Sequence, residues 1–180
     1  MRRWLAVCLI LAGLLSACAG GASPQPEPRN RIIYGLTLQP SGFDPHINSS
    51  SELGIPLRQV YDTLLYRDPA SKEFVPGLAT EWAISPDGLS YTFNLRQGVT
   101  FHDGTPFNAQ AVAANLDRIA DPNTASQKAL FMLGAYAGYV IIDDYTIQMN
   151  LTEPYSPLLD SLSQVYLGIA SPKALSDYSL

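Results

Sequence analysis

Cysteine and histidine are scarce in this chain, with two of each in 180 residues. Cys8 lies inside an N-terminal apolar run and Cys18 just beyond it, so removal of that run leaves one thiol and no intrachain disulfide. Two histidines and one thiol fall short of the four N or S ligands that a structural zinc site takes. His46 follows Asp44-Pro45 and His102 precedes Asp103-Gly104, so both read as turn or packing residues. Basic residues are also few, 11 against 16 acidic ones, for a formal charge of −5. No Lys/Arg cluster interleaves with aromatics, which argues against a nucleic-acid partner and against electrostatic docking on anionic lipid. Missing as well are the G-x-S-x-G elbow, the H-E-x-x-H pair and the G-x-x-x-x-G-K-[ST] loop. The adjacent Asp143-Asp144 reads as turn chemistry, since neighbours on a strand point to opposite faces. Glu153 near Asp160 is the other acid pair, with no base or nucleophile assigned to it. The expectation is a non-enzyme with no catalytic residue, no metal site and no cofactor.

What is present begins at the N-terminus. Arg2 and Arg3 precede an apolar run over 4–15, shorter than the roughly 20 residues that span a bilayer, which is the pattern of an export signal. Leu15-Ser16-Ala17-Cys18 resembles the bacterial lipobox, in which cleavage before the cysteine leaves a lipidated N-terminus. The alternative is an ordinary secretory signal with an incidental cysteine. The expected order is a signal peptide at 1–17, a lipidated Cys18 opening a flexible tether over 18–30, and a folded body over 31–180. The tether reads AGGASPQPEPRN after the cysteine, with almost no apolar side chain to bury. Loss of Arg2 and Arg3 would take the charge to −7.

Hydrophobic residues make up 47% of the chain, enough for a core in a body of this size. Tyr91, Phe93 and Leu95 alternate with Thr92 and Asn94, and Pro86-Asp87-Gly88 precedes them. Residues 82–85 and 90–95 should therefore pair as a hairpin. A short strand is expected at 99–101, then a turn at Asp103-Gly104-Thr105-Pro106. Asn108 is placed to cap a helix whose apolar stripe is Val112, Leu116 and Ile119, stopping at Asp121-Pro122. Residues 31–38 read as a first strand, and 53–65 as a helix capped by Ser50 or Ser51 with Pro56 in its first turn. Arg67-Asp68-Pro69 and Val75-Pro76-Gly77 bracket a turn region. A second hairpin should form from 139–142 and 146–151, followed by a helix through Leu158, Leu159 and Leu162. A strand at 166–170 and a helix at 172–176 complete the expectation.

Together these segments resemble solute-binding protein family 5, the peptide- and nickel-type lipoproteins that feed ABC importers. The resemblance runs from about Ile32 to the end through GFDP (42–45), VYDTL (60–64), VPGLATEW (75–82), Asp87-Gly88, FNLRQGV (93–99), FHDGTP (101–106) and SPKAL (171–175). The family's acidic pair after the small residue is replaced here by Gln110 and Ala111. The resemblance implies an α/β, two-lobed, type II periplasmic-binding-protein-like fold with mixed sheet, hairpins and short helices, of which 31–180 would hold a truncated first lobe. It also implies a small-molecule or oligopeptide ligand, ABC permease and ATPase subunits as partners, and attachment to the outer face of the cytoplasmic membrane or residence in the periplasm. The loop Gln39, Pro40, Ser41, Gly42 and Phe43 is the candidate ligand-facing segment, with an ordinary strand-to-helix connection as the alternative. A non-transporting surface lipoprotein is the other functional class.

Overall fold

Period-two alternation builds the centre of the molecule. In the computed structural model, which describes Asn30, residues 32–37, Gln39 and residues 42–177 with the Leu53 side chain excepted, four strands form one antiparallel sheet. They are β3 (Ala79–Ile84), β4 (Ser90–Leu95), β5 (Tyr136–Asp143) and β6 (Thr146–Leu151), in the order β3-β4-β6-β5. A separate hairpin pairs β1 (Leu65–Arg67) with β2 (Phe74–Pro76). Every pairing among these strands is antiparallel, so the described strands supply no parallel component of a mixed sheet.

On the inner face Tyr91 lies opposite Met149 and Phe93 opposite Ile147, with Phe93, Ile147 and Met149 fully buried. Such apolar cross-strand pairs are what fix sheet register. Opposite them, Thr92 meets Gln148 and Ser90 meets Asn150 on the outer face. Asp87 Oδ1 accepts from the Leu89 amide at 3.0 Å and from the Ser85 hydroxyl, closing the β3–β4 turn, and Asp143 Oδ1 accepts from the Tyr145 amide at 2.8 Å in the second hairpin.

The helices are α1 (Gly54–Leu57), α2 (Ala109–Ala120), α3 (Lys128–Leu133), α4 (Leu158–Leu162) and α5 (Pro172–Asp177). Asn108 caps α2 as expected, its side chain accepting from the Ala111 amide at 2.9 Å. Val112, Leu116 and Ile119 are all buried against the sheet's inner face. Tyr139 on β5 donates to Asp117 Oδ2 at 2.8 Å and fastens the helix to the sheet edge. A smaller cluster of Leu57, Val165 and Tyr166 lies under α1.

Four expected elements differ. Residues 32–37 carry no strand, Ile32 and Ile33 are exposed, and Arg31 and Leu38 lie outside the described residues. Without a buried face nothing selects a register there. Residues 53–65 are a 3-10 turn (Ser51–Leu53), the four-residue α1 and then β1, and Ser50 makes no side-chain cap bond. The apolar residues that matched one helical stripe serve two elements: Leu57 packs under α1, while Leu64 and Leu65 enter the main core with the β hairpin. Residues 99–101 form only an isolated bridge, Thr100 to Pro106, that closes the tight Asp103-Gly104 turn. Residues 166–170 are a 3-10 turn (Val165–Leu167) running into extended chain with no neighbouring strand. Residues 1–29 and 178–180, with the signal, Cys18 and nearly all of the tether, lie outside the described residues.

Candidate functional site

The loop that follows Gly42 is held by its own charges. Asp44 accepts the His46 amide at 2.9 Å, a short-range turn of the kind Asp favours. Its carboxylate also receives two bonds from Arg118 in the last turn of α2, Nη1 to Oδ1 at 2.9 Å and Nη2 to Oδ2 at 2.5 Å. This is the bidentate fork that guanidinium and carboxylate geometry favour. Burial raises the Asp44 pKa, but the Arg118 bonds, the His46 amide and the Arg118 charge outweigh it and leave the carboxyl below its usual value.

His46 is fully buried between two opposite partners. Arg118 Nη1 donates to its Nδ1 at 2.9 Å, and its Nε2 donates to the Gly168 carbonyl at 3.0 Å. Only the neutral ring with its proton on Nε2 satisfies both. Burial pushes the imidazole pKa down to about 4, Arg118 adds to that, and the Gly168 carbonyl and Asp44 oppose it. The ring is thus a packed core histidine, as its turn position suggested, and ties two distant segments.

The second segment is the extended chain at 168–171. Asn115 of α2 treats it as a strand neighbour would: its Oδ1 accepts the Ala170 amide at 2.8 Å and its Nδ2 donates to the Ala170 carbonyl at 2.8 Å. The Ile169 amide donates to the Asp62 carbonyl at 2.9 Å. Ser171 donates to Asp103, whose carboxylate also receives the Thr105 hydroxyl at 2.6 Å and amide at 2.9 Å. Those bonds, Ser171 first, hold the Asp103 pKa down to about 2.

Between the two segments lies a cleft of about 730 Å³. Phe43, Ile47, Val60, Phe101 and Leu175 give it apolar surface, and Asp44, Asp103, Arg118 and Asn123 give it polar edges. That is a volume and a lining suited to a small molecule. Of the sequence candidates, Gly42 and Phe43 line this cleft, with Phe43 61% exposed. Gln39 is exposed and is not among the lining residues, while Pro40 and Ser41 lie outside the described residues. Gly42 has φ +150, a conformation other residues rarely adopt.

Asn115 and Arg118 carry little mark in the sequence. Asn115 offered one signal, a polar residue set within the apolar stripe of an amphipathic helix. Arg118 offered none, since its partner lies 74 positions away. Neither His46 nor His102 joins a metal-binding group, and among the described residues no cluster of three His, Cys, Asp or Glu is placed to hold an ion. No helix among them is long and apolar enough to cross a membrane.

Three similarities place this geometry. The glutathione-binding protein GsiB of Pectobacterium atrosepticum is 34% identical over 98% of this chain and 33% of its own length. NikA from Brucella suis, solved with Fe(III)-EDTA, is 31% identical with a TM-score of 0.67, over 78% of this chain and 27% of NikA. The DppA periplasmic binding protein of Helicobacter pylori, solved with the peptide STSA, is 30% identical with a TM-score of 0.68, over 78% of this chain and 30% of DppA. The chain spans about a third of the length of the curated relatives it matches. Its fold is part of the type II periplasmic-binding-protein fold. The model of the "Bacterial extracellular solute-binding proteins, family 5 Middle" matches residues 73–179, and with the motifs and the fold in agreement, the chain belongs to family 5 of the bacterial extracellular solute-binding proteins.

Proposed function

We propose that this chain contributes the N-terminal lobe, from residue 31, of the extracytoplasmic binding component of an ABC importer, and that it takes a short peptide or a related small solute. The observation that carries this reading is the cleft between Gly42–Asp44 and Ile169–Ser171, whose mixed apolar and polar lining suits a ligand with a modest side chain and polar ends. Family membership supports it, as do relatives whose names record glutathione and a peptide as ligands. A second lobe closing on the cleft would bury such a ligand, and the closed form would be what the permease and ATPase subunits read. Cys18 is the proposed lipid attachment point, with 18–30 as the tether that keeps the body clear of the membrane, at the outer face of the cytoplasmic membrane or in the periplasm.

The test is thermal unfolding of the full-length gene product with glutathione, a series of di- and tripeptides, and nickel chelates. A ligand at a hundredfold excess over its Kd contributes about 2.7 kcal/mol, which in a protein of the relatives' length raises Tm by roughly 2–4 °C. A shift for one chemical class supports importer binding. No shift for any member at millimolar concentration removes the transport reading and favours a non-transporting surface lipoprotein.

A further inference from the structure

Both walls of the cleft are fastened to one helix. Arg118 grips the Gly42–His46 wall through Asp44, and Asn115, one turn earlier on α2, grips the 168–171 wall through the amide and carbonyl of Ala170. Three residues of helix separate these anchors by about 4.5 Å along the axis. His46 then closes the triangle from the first wall to the second, through its Nε2 bond to the Gly168 carbonyl.

The atoms leave little freedom. Both donors of the Asn115 amide are used, because Nδ2 also donates to the Ala111 carbonyl at 2.8 Å, and with Oδ1 accepting from Ala170 its orientation is fixed by three hydrogen bonds. Arg118 is shared between Asp44 and His46, so a shift of either partner strains the other. A proton on His46 Nδ1 would point at the guanidinium 2.9 Å away, which means that the tie exists only with the neutral ring. The charged groups that act on His46 are Asp44 on its own loop and Arg118 from α2, and the same two act on Tyr61 from the chain before β1, which also lines the cleft. The Ser126 hydroxyl, 2.7 Å from the His46 carbonyl, holds the backbone from a third side.

We infer that Asn115 and Arg118 are positioning residues that set the separation of the two cleft walls, with neutral His46 as the link through which a change at one wall reaches the other. This rests on the cleft reading above and extends it to residues whose own bonds are to the walls.

The test needs no ligand, so it stays separate from the binding reading. In the unaltered protein, nitrogen-15 NMR of histidine should show His46 as the Nε2–H tautomer, uncharged down to about pH 5. A proton on Nδ1, or an ordinary titration near 6.5, overturns the inference without any variant. Arg118→Lys keeps the charge and loses the fork. It should speed amide exchange at Ile169 and Ala170, on the opposite wall, at least tenfold while leaving Phe93 and Ile147 in the sheet unchanged. Asn115→Asp should in turn mix the His46 tautomers. His46→Gln, which can accept from Arg118 and donate to Gly168, should keep exchange at Ala170 within a factor of three of the unaltered protein. If each substitution changes only its own wall, or if all amides speed up together, the two residues are structural and the coupling is absent.

Discussion

Arg118 holds both oxygens of Asp44 and the Nδ1 of His46 with one guanidinium, so a single side chain near the end of α2 fixes a loop 72 to 74 positions earlier in the chain. Asp44→Asn keeps the size of the side chain and removes its charge, leaving a half-buried guanidinium without its counter-ion. Breaking a fully buried pair costs about 3–5 kcal/mol, and with 17% and 29% of the two side chains exposed the expected loss is about 2 kcal/mol. Urea unfolding at pH 7.5 reads it as a lower midpoint with an unchanged slope.

The pH dependence follows from His46. Its folded pKa is held at about 4 against an ordinary 6.5, so between those values the unfolded chain binds a proton that the folded chain does not. Stability is therefore complete above pH 6.5 and falls as the pH drops from 6.5 toward 4, by up to about 3 kcal/mol. His46→Gln should flatten the curve in that window. Asp44 and Asp103 act lower, because their folded pKa values lie below 3.8 and their contribution is lost only as the pH falls beneath it. Unfolding free energies at pH 7.5, 5.5, 4.5 and 3.0 separate the two windows, the first three spanning that of His46 and the last entering that of the carboxylates.

Gly168 sits where no side chain fits. A Cβ there would stand 2.9 Å from the Tyr61 Cβ and 2.9 Å from the Val165 carbonyl oxygen. Gly168→Ala should cost about 1–3 kcal/mol through overpacking and displace Tyr61, a cleft residue, which a crystal structure of the variant would show. Retention of full stability would mean that the wall is softer than its contacts indicate.

Cys18→Ser tests the lipid anchor proposed for the N-terminus. Stable membrane attachment through acyl chains draws on about 0.8 kcal/mol per buried methylene, so loss of the thiol that carries them should move the protein from the membrane pellet to the soluble fraction. Continued fractionation with membranes would assign attachment to another segment.

The two main hairpins and α2 were legible because each is marked by a local signal: alternation through Phe93 and Ile147, Asp-Gly turn chemistry at 87–88, and an Asn cap followed by a 3.6-period stripe. Residues 53–65 misled because Leu57 and Leu64, spaced as on one helix, belong to different clusters. Residues 166–170 read as a strand, but the backbone partner of Ala170 is the Asn115 side-chain amide, and no sequence period encodes that. Of the candidate site, only one edge was legible. Gly42 and Phe43 line the cleft, while the fork between Asp44 and Arg118 joins positions with no local relation to each other.

The most direct test of the cleft as the ligand site is residue-resolved NMR of the protein titrated with the ligand that shifts Tm most. Saturable amide shifts should concentrate at Gly42, Phe43, His102, Asp103 and 169–171. Shifts gathered instead around Phe131 and Tyr155, which line a separate groove of about 580 Å³, or no saturable shift at all, would contradict it.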